Sequence, residues 1–204
     1  MRPLAGAAFL AAFFLAPVGH AQDVAVPVAF TFNGVEMRIE QSPLGDLARL
    51  SEIAARAPEC TQICVAAQTV RDDIPTITER DVIAFIETDV ANGNGLLLDS
   101  RAPEVRATGA IATSVNLPAA VLAPENPYLN QILVAMGARS FNDVLNFADA
   151  LPVVVYDDGP LSQDAQTMIR NLIEVGYPTD KIKYYRGGLL VWTALGLSVE
   201  ETTS

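Results

Sequence analysis

A short acidic turn directly after an apolar strand is the part of this sequence best placed to do chemistry. Residues 153–156 read Val-Val-Val-Tyr, a run typical of a strand that is buried on both faces. An amphipathic helix is predicted to begin at Ser162 and to end at Gly176. A turn that leads into a helix N-terminus directs N–H groups and the positive dipole end towards one point, and so favours anions. We call the connecting residues the cradle loop: Asp157, Asp158, Gly159, Pro160, Leu161 and Ser162.

Three interpretations of Asp157, the first residue of the cradle loop, remain open from the residues alone. Its carboxylate could accept hydrogen bonds from N–H groups at the helix entry, or fill the anion site of a binding module. It could also act as a nucleophile or general base, for example in phosphoryl transfer, with Asp158 beside it. No second acidic cluster is evident, so no metal site is predicted. If Asp157 fills the loop, its pKa should be lowered, whereas Asp158 should point elsewhere.

The other reactive side chains are the two cysteines, Cys60 and Cys64. A structural disulfide is the simplest interpretation if the protein is exported into an oxidising compartment. A labile redox pair is a second interpretation, although the spacing is not that of a C-x-x-C motif. Two thiolates without histidine fall short of the four ligands of a typical zinc site.

The N-terminus has the features of a secretory signal peptide. Arg2 provides a positive start, residues 4–18 are apolar, and small residues precede a cut before Gln22. The sequence therefore predicts an exported protein, most simply in the bacterial periplasm, with no further segment that could span a membrane. The single histidine, His20, would be removed with residues 1–21. Hydrolases that use a Ser-His or Cys-His pair are excluded for the mature chain.

The charge of the chain also limits its partners. There are 24 acidic residues against 13 basic ones, a net charge of −11, and Arg2 is lost with the signal peptide. Such a surface repels nucleic acid and anionic lipid. We expect no cofactor, and a protein or small-molecule partner of unknown identity.

The hydrophobic pattern divides the mature chain into two parts. Residues 22–75 contain a hairpin of strands 28–32 and 35–39, a helix predicted from Ser42 to Pro58, and the cysteine loop. Strands and helices alternate in residues 76–200, before a tail at 201–204. The predicted elements are a helix after Thr78, strand 96–99, a brief strand near Val115, a helix from Asn126, strand 153–156, the helix from Ser162, strand 181–185 and a last helix near Leu189. This order predicts an α/β fold with a parallel sheet covered by helices.

Five short segments in residues 76–200 resemble, in order and spacing, the rhodanese-like domain family. They are Leu97-Leu98-Asp99-Ser100-Arg101, then Gly109-Ala110-Ile111 through Asn116-Leu117-Pro118, the strand 153–156, Gly176-Tyr177, and Arg186-Gly187-Gly188 through Trp192 to Gly196-Leu197. The resemblance implies the rhodanese-like fold. It also implies that Asp99 and Arg101 fix the loop after their strand. Arg186 is expected to reach the mouth of the cradle loop and to pair with Asp157 or a ligand.

The resemblance argues against the activity of that family. Its members carry a cysteine immediately after the central strand, and the thiolate takes up a sulfur atom. Asp157 holds that position here, and Leu161 and Ser162 replace the usual basic residue of the loop. We therefore expect an inactive sulfurtransferase that serves as a binding or accessory module. The alternative is an enzyme that uses Asp157 for carboxylate chemistry or Cys60 and Cys64 for thiol chemistry.

Overall fold

The part of the chain that the structure describes contains eight strands, six α-helices, a π-helix Ile86–Val90 and the 3-10 helices Ala119–Leu122 and Thr179–Lys181. The structure is a computed structural model, and it describes residues 26–43, 45–56, 65–142 and 144–201. The strands are β1 Val28–Phe32, β2 Val35–Ile39, β3 Leu96–Asp99, β4 Val115–Asn116, β5 Arg139–Phe141, β6 Val144–Asn146, β7 Val153–Tyr156 and β8 Ile182–Tyr184. The helices are α1 Leu47–Ala55, α2 Glu79–Phe85, α3 Pro103–Arg106, α4 Leu129–Ala135, α5 Asp164–Glu174 and α6 Gly188–Ala194.

A four-stranded parallel sheet lies at the centre of the protein. Its strand order is β4-β3-β7-β8, and each neighbouring pair runs parallel. The central strand β7 is buried along its whole length, as its β-branched composition predicts. The α/β fold with a helix-covered parallel sheet is confirmed, and the cradle loop follows the carboxyl end of the central strand.

Two apolar clusters pack against the opposite faces of this sheet. Val153 and Val155 belong to one cluster together with α4 and α5, whereas Val154 and Tyr156 belong to the other with α2 and α6. The alternation along β7 follows from the two-residue period of a strand. Both faces of the sheet are therefore covered, and the site at its carboxyl edge has a rigid support.

The N-terminal hairpin and α1 are part of the second cluster. β1 and β2 pair as an antiparallel hairpin around Asn33 and Gly34, both of which have positive φ, as the Asn-Gly sequence predicts. Ile39 and Ile53 are buried in the cluster that contains Trp192. Among the described residues, no helix has the length and apolar character needed to cross a membrane.

Some element boundaries differ from those predicted by the sequence. α1 begins at Leu47 after the cap residue Asp46, whose carboxylate accepts the Arg49 N–H at 3.0 Å, so the prediction of a cap at Ser42 is wrong. α5 begins at Asp164 rather than at Ser162, whose hydroxyl oxygen accepts the Asp164 N–H at 3.2 Å. In α1 a cap residue further along the chain than predicted stabilises the first turn, whereas in α5 Ser162 lies just before the N-cap residue Gln163.

Two short strands and one short α-helix are not predicted by the sequence. These are α3, which has Pro103 at its first position, and the β5–β6 hairpin. The turn of this hairpin has no glycine; Asn142 supplies the positive φ instead, at 48°. Three-residue strands and a four-residue helix are too short for the period of their hydrophobic residues to indicate them.

Candidate functional site

Asp157 lies immediately after β7 and is completely buried. Its Oδ1 accepts a hydrogen bond from the Gly159 N–H at 2.8 Å, and its Oδ2 accepts one from the Ala165 N–H at 3.0 Å. Gly159 belongs to the cradle loop and Ala165 to the first turn of α5. The carboxylate therefore occupies donors that an external anion would need.

Burial raises the pKa of Asp157 to about 6. The N–H groups of Ala165 and Gly159 and the Ser162 side chain oppose this change, whereas the negative charge of Asp164 adds to it. Our prediction of a lowered pKa was therefore wrong. The pattern of turn residues indicates the donors, but it does not show that the carboxylate loses all contact with water.

The cradle loop is held against the start of α6 with little space between them. The Leu189 N–H donates to the Asp157 carbonyl oxygen at 2.9 Å, and the Leu190 N–H donates to that of Asp158 at 3.0 Å. Gly188 has a φ of 58°, and a Cβ atom there would collide with the Asp157 carbonyl oxygen. Glycine at this position therefore permits the close approach of helix and loop.

The Asp158 carboxylate points away from the N–H groups of the loop, as predicted, and binds two arginines. Arg56, at the end of α1, donates to both carboxylate oxygens at 2.8 and 2.9 Å, and Arg101 donates to one of them at 3.1 Å. This fork is the strong geometry of an arginine–carboxylate pair. The contact links the cradle loop to the N-terminal part of the chain.

Asp99 and Arg101, which were expected to fix the loop after their strand, form a buried ion pair. The Arg101 Nη2 and Nε atoms donate to the two Asp99 carboxylate oxygens at 2.6 and 2.8 Å, and both side chains are buried. Arg106 Nη1 and the Tyr156 hydroxyl also donate to Asp99 Oδ2, at 3.1 and 2.9 Å. Burial, together with the Asp99 charge, raises the pKa of Tyr156. We refer to Arg56, Asp99, Arg101, Arg106 and Asp158 as the arginine–aspartate network.

Arg186 does not lie where the sequence analysis expected it. Its Nη2 and Nε atoms donate to the Ala66 carbonyl oxygen at 2.9 and 3.1 Å, and Nε also reaches that of Ala67 at 3.3 Å. The expectation of a pair with Asp157 was therefore wrong. We call residues 65–68 the covering segment, because the Ala66 N–H also donates to the Pro160 carbonyl oxygen of the cradle loop at 2.7 Å.

Tyr184, the last residue of β8, lies in the core close to Asp157. It is fully buried, and its hydroxyl has no hydrogen-bond partner among the described residues. Burial, together with the Asp157 charge, raises its pKa to about 12. A polar tip at the end of the apolar strand β8 is the only sequence signal that could have suggested this position.

The sequence of this chain matches the model of a known protein family. The model of the rhodanese-like domain matches residues 84–195, more than half of the chain.

The chain belongs to the rhodanese-like domain family.

Several solved structures are also similar to it. A rhodanese-related protein from Thermoplasma volcanium is 20% identical with a TM-score of 0.43, and the match covers 63% of this chain and 99% of that one. A protein of unknown function from Rhodopseudomonas palustris, described as a possible tyrosine phosphatase, is 20% identical with a TM-score of 0.45. That match covers 79% of this chain and 98% of the other. No curated protein matches the sequence.

This rhodanese-like domain presents a carboxylate, and not a thiol, at the end of its central strand. Cys60 and Cys64, the only cysteines in the sequence, lie outside the described residues, as does the predicted signal peptide at 1–21. The described residues contain no group of three or more His, Cys, Asp or Glu side chains that could hold a metal ion. At Asp157 the geometry supports hydrogen bonding and proton exchange.

Proposed function

We propose that this protein is an exported rhodanese-like domain that does not transfer sulfur and that acts as a binding or accessory module. The observation that supports the proposal is the position of the Asp157 carboxylate. Its two oxygens accept hydrogen bonds from the N–H groups of Gly159 and Ala165. N–H groups at a helix entry are donors that can stabilise a bound anion. An ionised group of the protein itself competes with any anionic substrate at this position.

The step that defines a sulfurtransferase needs a nucleophile that can carry sulfur. A thiolate attacks the outer sulfur of thiosulfate, the S–S bond breaks, and sulfite leaves with the electron pair while the sulfur remains as a persulfide. A carboxylate cannot form a stable analogue of this persulfide. Arg101 and Arg56, which lie near the loop, are bonded to Asp158 rather than open to a substrate.

The location of the protein is part of the proposal. The charged start, apolar stretch and small residues before Gln22 support export, most simply to a bacterial periplasm. An oxidising compartment would favour a disulfide between Cys60 and Cys64.

A thiosulfate:cyanide sulfurtransferase assay tests the proposal. We expect thiocyanate formation to equal that of the buffer blank. Asp157→Cys places a thiol among the same N–H donors, and thiosulfate should then add the mass of one sulfur atom to the protein. Ser162→Cys is the matched control, because its thiol lies at the far end of the loop. The proposal would be contradicted if the parent formed thiocyanate above the blank and the Asp157→Ala variant did not.

A carboxylate enzyme is the second candidate, and the raised pKa of Asp157 favours it. A group with a pKa of about 6 can exchange a proton near neutral pH, which suits a general acid or base. The complete burial of Asp157 and the bonds to both oxygens count against direct attack on a substrate. Hydrolysis of a phosphate monoester that disappears in Asp157→Asn would favour this candidate. Thiol titration with and without reductant tests the remaining alternative, chemistry at Cys60 and Cys64.

A further inference from the structure

The covering segment is held over the cradle loop through its backbone. Besides the Ala66 N–H bond to Pro160, the carbonyl oxygens of three successive residues are bound. Arg186 donates to Ala66 and Ala67, and the Gln166 Nε2 donates to Ala67 at 3.1 Å. The Gln68 carbonyl oxygen accepts the Thr76 hydroxyl at 2.6 Å. None of these bonds uses a side chain of the covering segment.

The side chains of the covering segment contribute one buried methyl group. Ala66 is 5% exposed, whereas Val65, Ala67 and Gln68 are exposed. Only the position of Ala66 therefore restricts side-chain size. Many extended peptides with a small residue at this position could make the same contacts.

We propose that the surface formed by Pro160, Gln166 and Arg186 is a groove for an extended peptide of a partner protein, and that the covering segment occupies it in the free protein. The proposal deepens the binding role proposed above and depends on it. The partner segment is extended, and it has a small side chain where Ala66 now lies. Its backbone supplies one N–H group and two neighbouring carbonyl oxygens.

The chemistry of the groove suits this partner. Recognition through main-chain hydrogen bonds, with a pocket for one side chain, is a common way of binding extended peptides. Arg186 provides a charged fork for one carbonyl oxygen, and Gln166 provides a neutral donor for the next. Residues 65–68 precede the stretch 84–195 that the family model matches, so the groove lies on the family domain and its present occupant comes from outside that stretch.

A segment of the same chain competes strongly with a separate peptide. Its effective concentration is on the order of millimolar, because the linkage keeps it close to the groove. A partner peptide therefore binds the parent weakly until the covering segment is displaced. Weakening the covering segment, while leaving the groove unchanged, should raise the apparent affinity in proportion to the open fraction.

The test uses a fluorescent peptide with the sequence of residues 65–70 and measures its polarisation on binding to the protein. Ala66→Pro removes the N–H that donates to Pro160, and Ala66→Leu overfills the buried position. Each change acts on the covering segment alone. We expect both variants to bind the peptide at least about tenfold more tightly than the parent. Near-ultraviolet circular dichroism shows which of the two variants remains folded. One folded variant is enough for the binding measurement.

Two controls show whether the peptide occupies the proposed groove. Arg186→Ala, introduced into the Ala66→Pro variant, should abolish the gain, whereas Arg139→Ala should not, since Arg139 is exposed on β5. A peptide with Leu in place of Ala66 should bind at least about tenfold more weakly than the original peptide. The proposal is overturned if neither Ala66 variant binds more tightly than the parent, or if Arg186→Ala leaves the binding unchanged.

The sulfurtransferase assay separates this result from a failure of the proposed function. Background sulfur transfer without Arg186-dependent peptide binding would leave an inactive module whose partner binds elsewhere. Sulfur transfer together with Arg186-dependent peptide binding would support the proposed groove and would contradict the proposal that the protein does not transfer sulfur.

Discussion

At the scale of single residues, Asp157 and Asp158 show how neighbouring carboxylates acquire different properties. Asp158 pairs with Arg56 and Arg101, whereas Asp157 accepts backbone N–H groups of Gly159 and Ala165. Two N–H groups replace part of the hydration that a buried carboxylate loses, but a guanidinium replaces more of it. The rise in the pKa of Asp157 follows from this difference.

The stability of the protein should depend on pH through Asp157. The folded-state pKa of about 6 lies above the unfolded value of about 3.9, so the folded state binds more protons between these values. Stability from this group is fully present below pH 4 and is lost as the pH rises through 6. Asp157→Asn cannot titrate. We expect the parent to gain on the order of 2 kcal/mol over this variant between pH 7 and pH 4.

Urea unfolding of both proteins across this pH range measures the difference. Asp180→Asn is a suitable control because Asp180 is exposed, and its difference from the parent should change little. If the parent instead loses stability relative to Asp157→Asn on acidification, the pKa of Asp157 is lowered and the prediction is contradicted.

The sequence predicts the residues of the cradle loop but not their surroundings. Asp157 was placed correctly because an apolar strand ends directly before it. The partners of Arg186 lie 119 and 120 positions away in the sequence, in the covering segment, and Asp157 lies against the start of α6. Local patterns contain no information on such contacts, so both the pKa direction and the Arg186 pairing were predicted wrongly.

At the scale of elements, the fork between Arg56 and Asp158 connects α1 to the cradle loop. The Asp158 and Arg56 side chains are 14% and 24% exposed, and Arg101 is buried beside them. Removal of the Asp158 charge leaves these two arginines with an uncompensated charge in a poorly hydrated place. The loop and the helix should therefore stabilise each other.

We expect Asp158→Asn to lower the free energy of unfolding by about 2 kcal/mol or more. Asp149→Asn is the matched comparison, because Asp149 forms an ion pair with Arg139 in which the side chains are 54% and 76% exposed. That change should cost less than about 1 kcal/mol. Thermal or urea unfolding at neutral pH compares the two. Equal effects would mean that the arginine–aspartate network contributes no more than a surface pair.

The elements that the sequence predicted best are those with a single strong pattern. β3 and β7 are continuous apolar runs, and the β1–β2 hairpin has an Asn-Gly turn. The β5–β6 hairpin was missed because three-residue strands provide no period, and its turn depends on the positive φ of Asn142. The starts of α1 and α5 were misplaced because several capping residues occur close together in each region.

At the scale of the whole molecule, the N-terminal part and the family domain share one core. Ile39 and Ile53 pack in the same cluster as Leu189 and Trp192, although the family model begins only at residue 84. Described residues on both sides of position 75 therefore contribute to one core. A fragment limited to residues 84–195 would expose apolar surface that the full chain buries.

If the protein is exported as we propose, Cys60 and Cys64 should form a disulfide. An oxidising compartment favours the bond, which closes a small ring. Intact mass should be lower than that of the reduced chain by two hydrogen atoms, and alkylation should require a reductant. The Cys60→Ser variant, which cannot form the bond, provides the reference for a free thiol. Free thiols in freshly isolated periplasmic protein would contradict this prediction.

Trp192, the only tryptophan, gives the protein one local optical reporter. Its ring is fully buried, its Nε1 donates to the Ser198 carbonyl oxygen at 2.9 Å, and the Tyr185 ring lies edge-on at 6.4 Å. Because its cluster includes side chains from the N-terminal hairpin and from α6, its emission wavelength responds to water entry at their junction. Detachment of the hairpin would thus shift the emission to the red, even while the parallel sheet keeps its circular-dichroism signal.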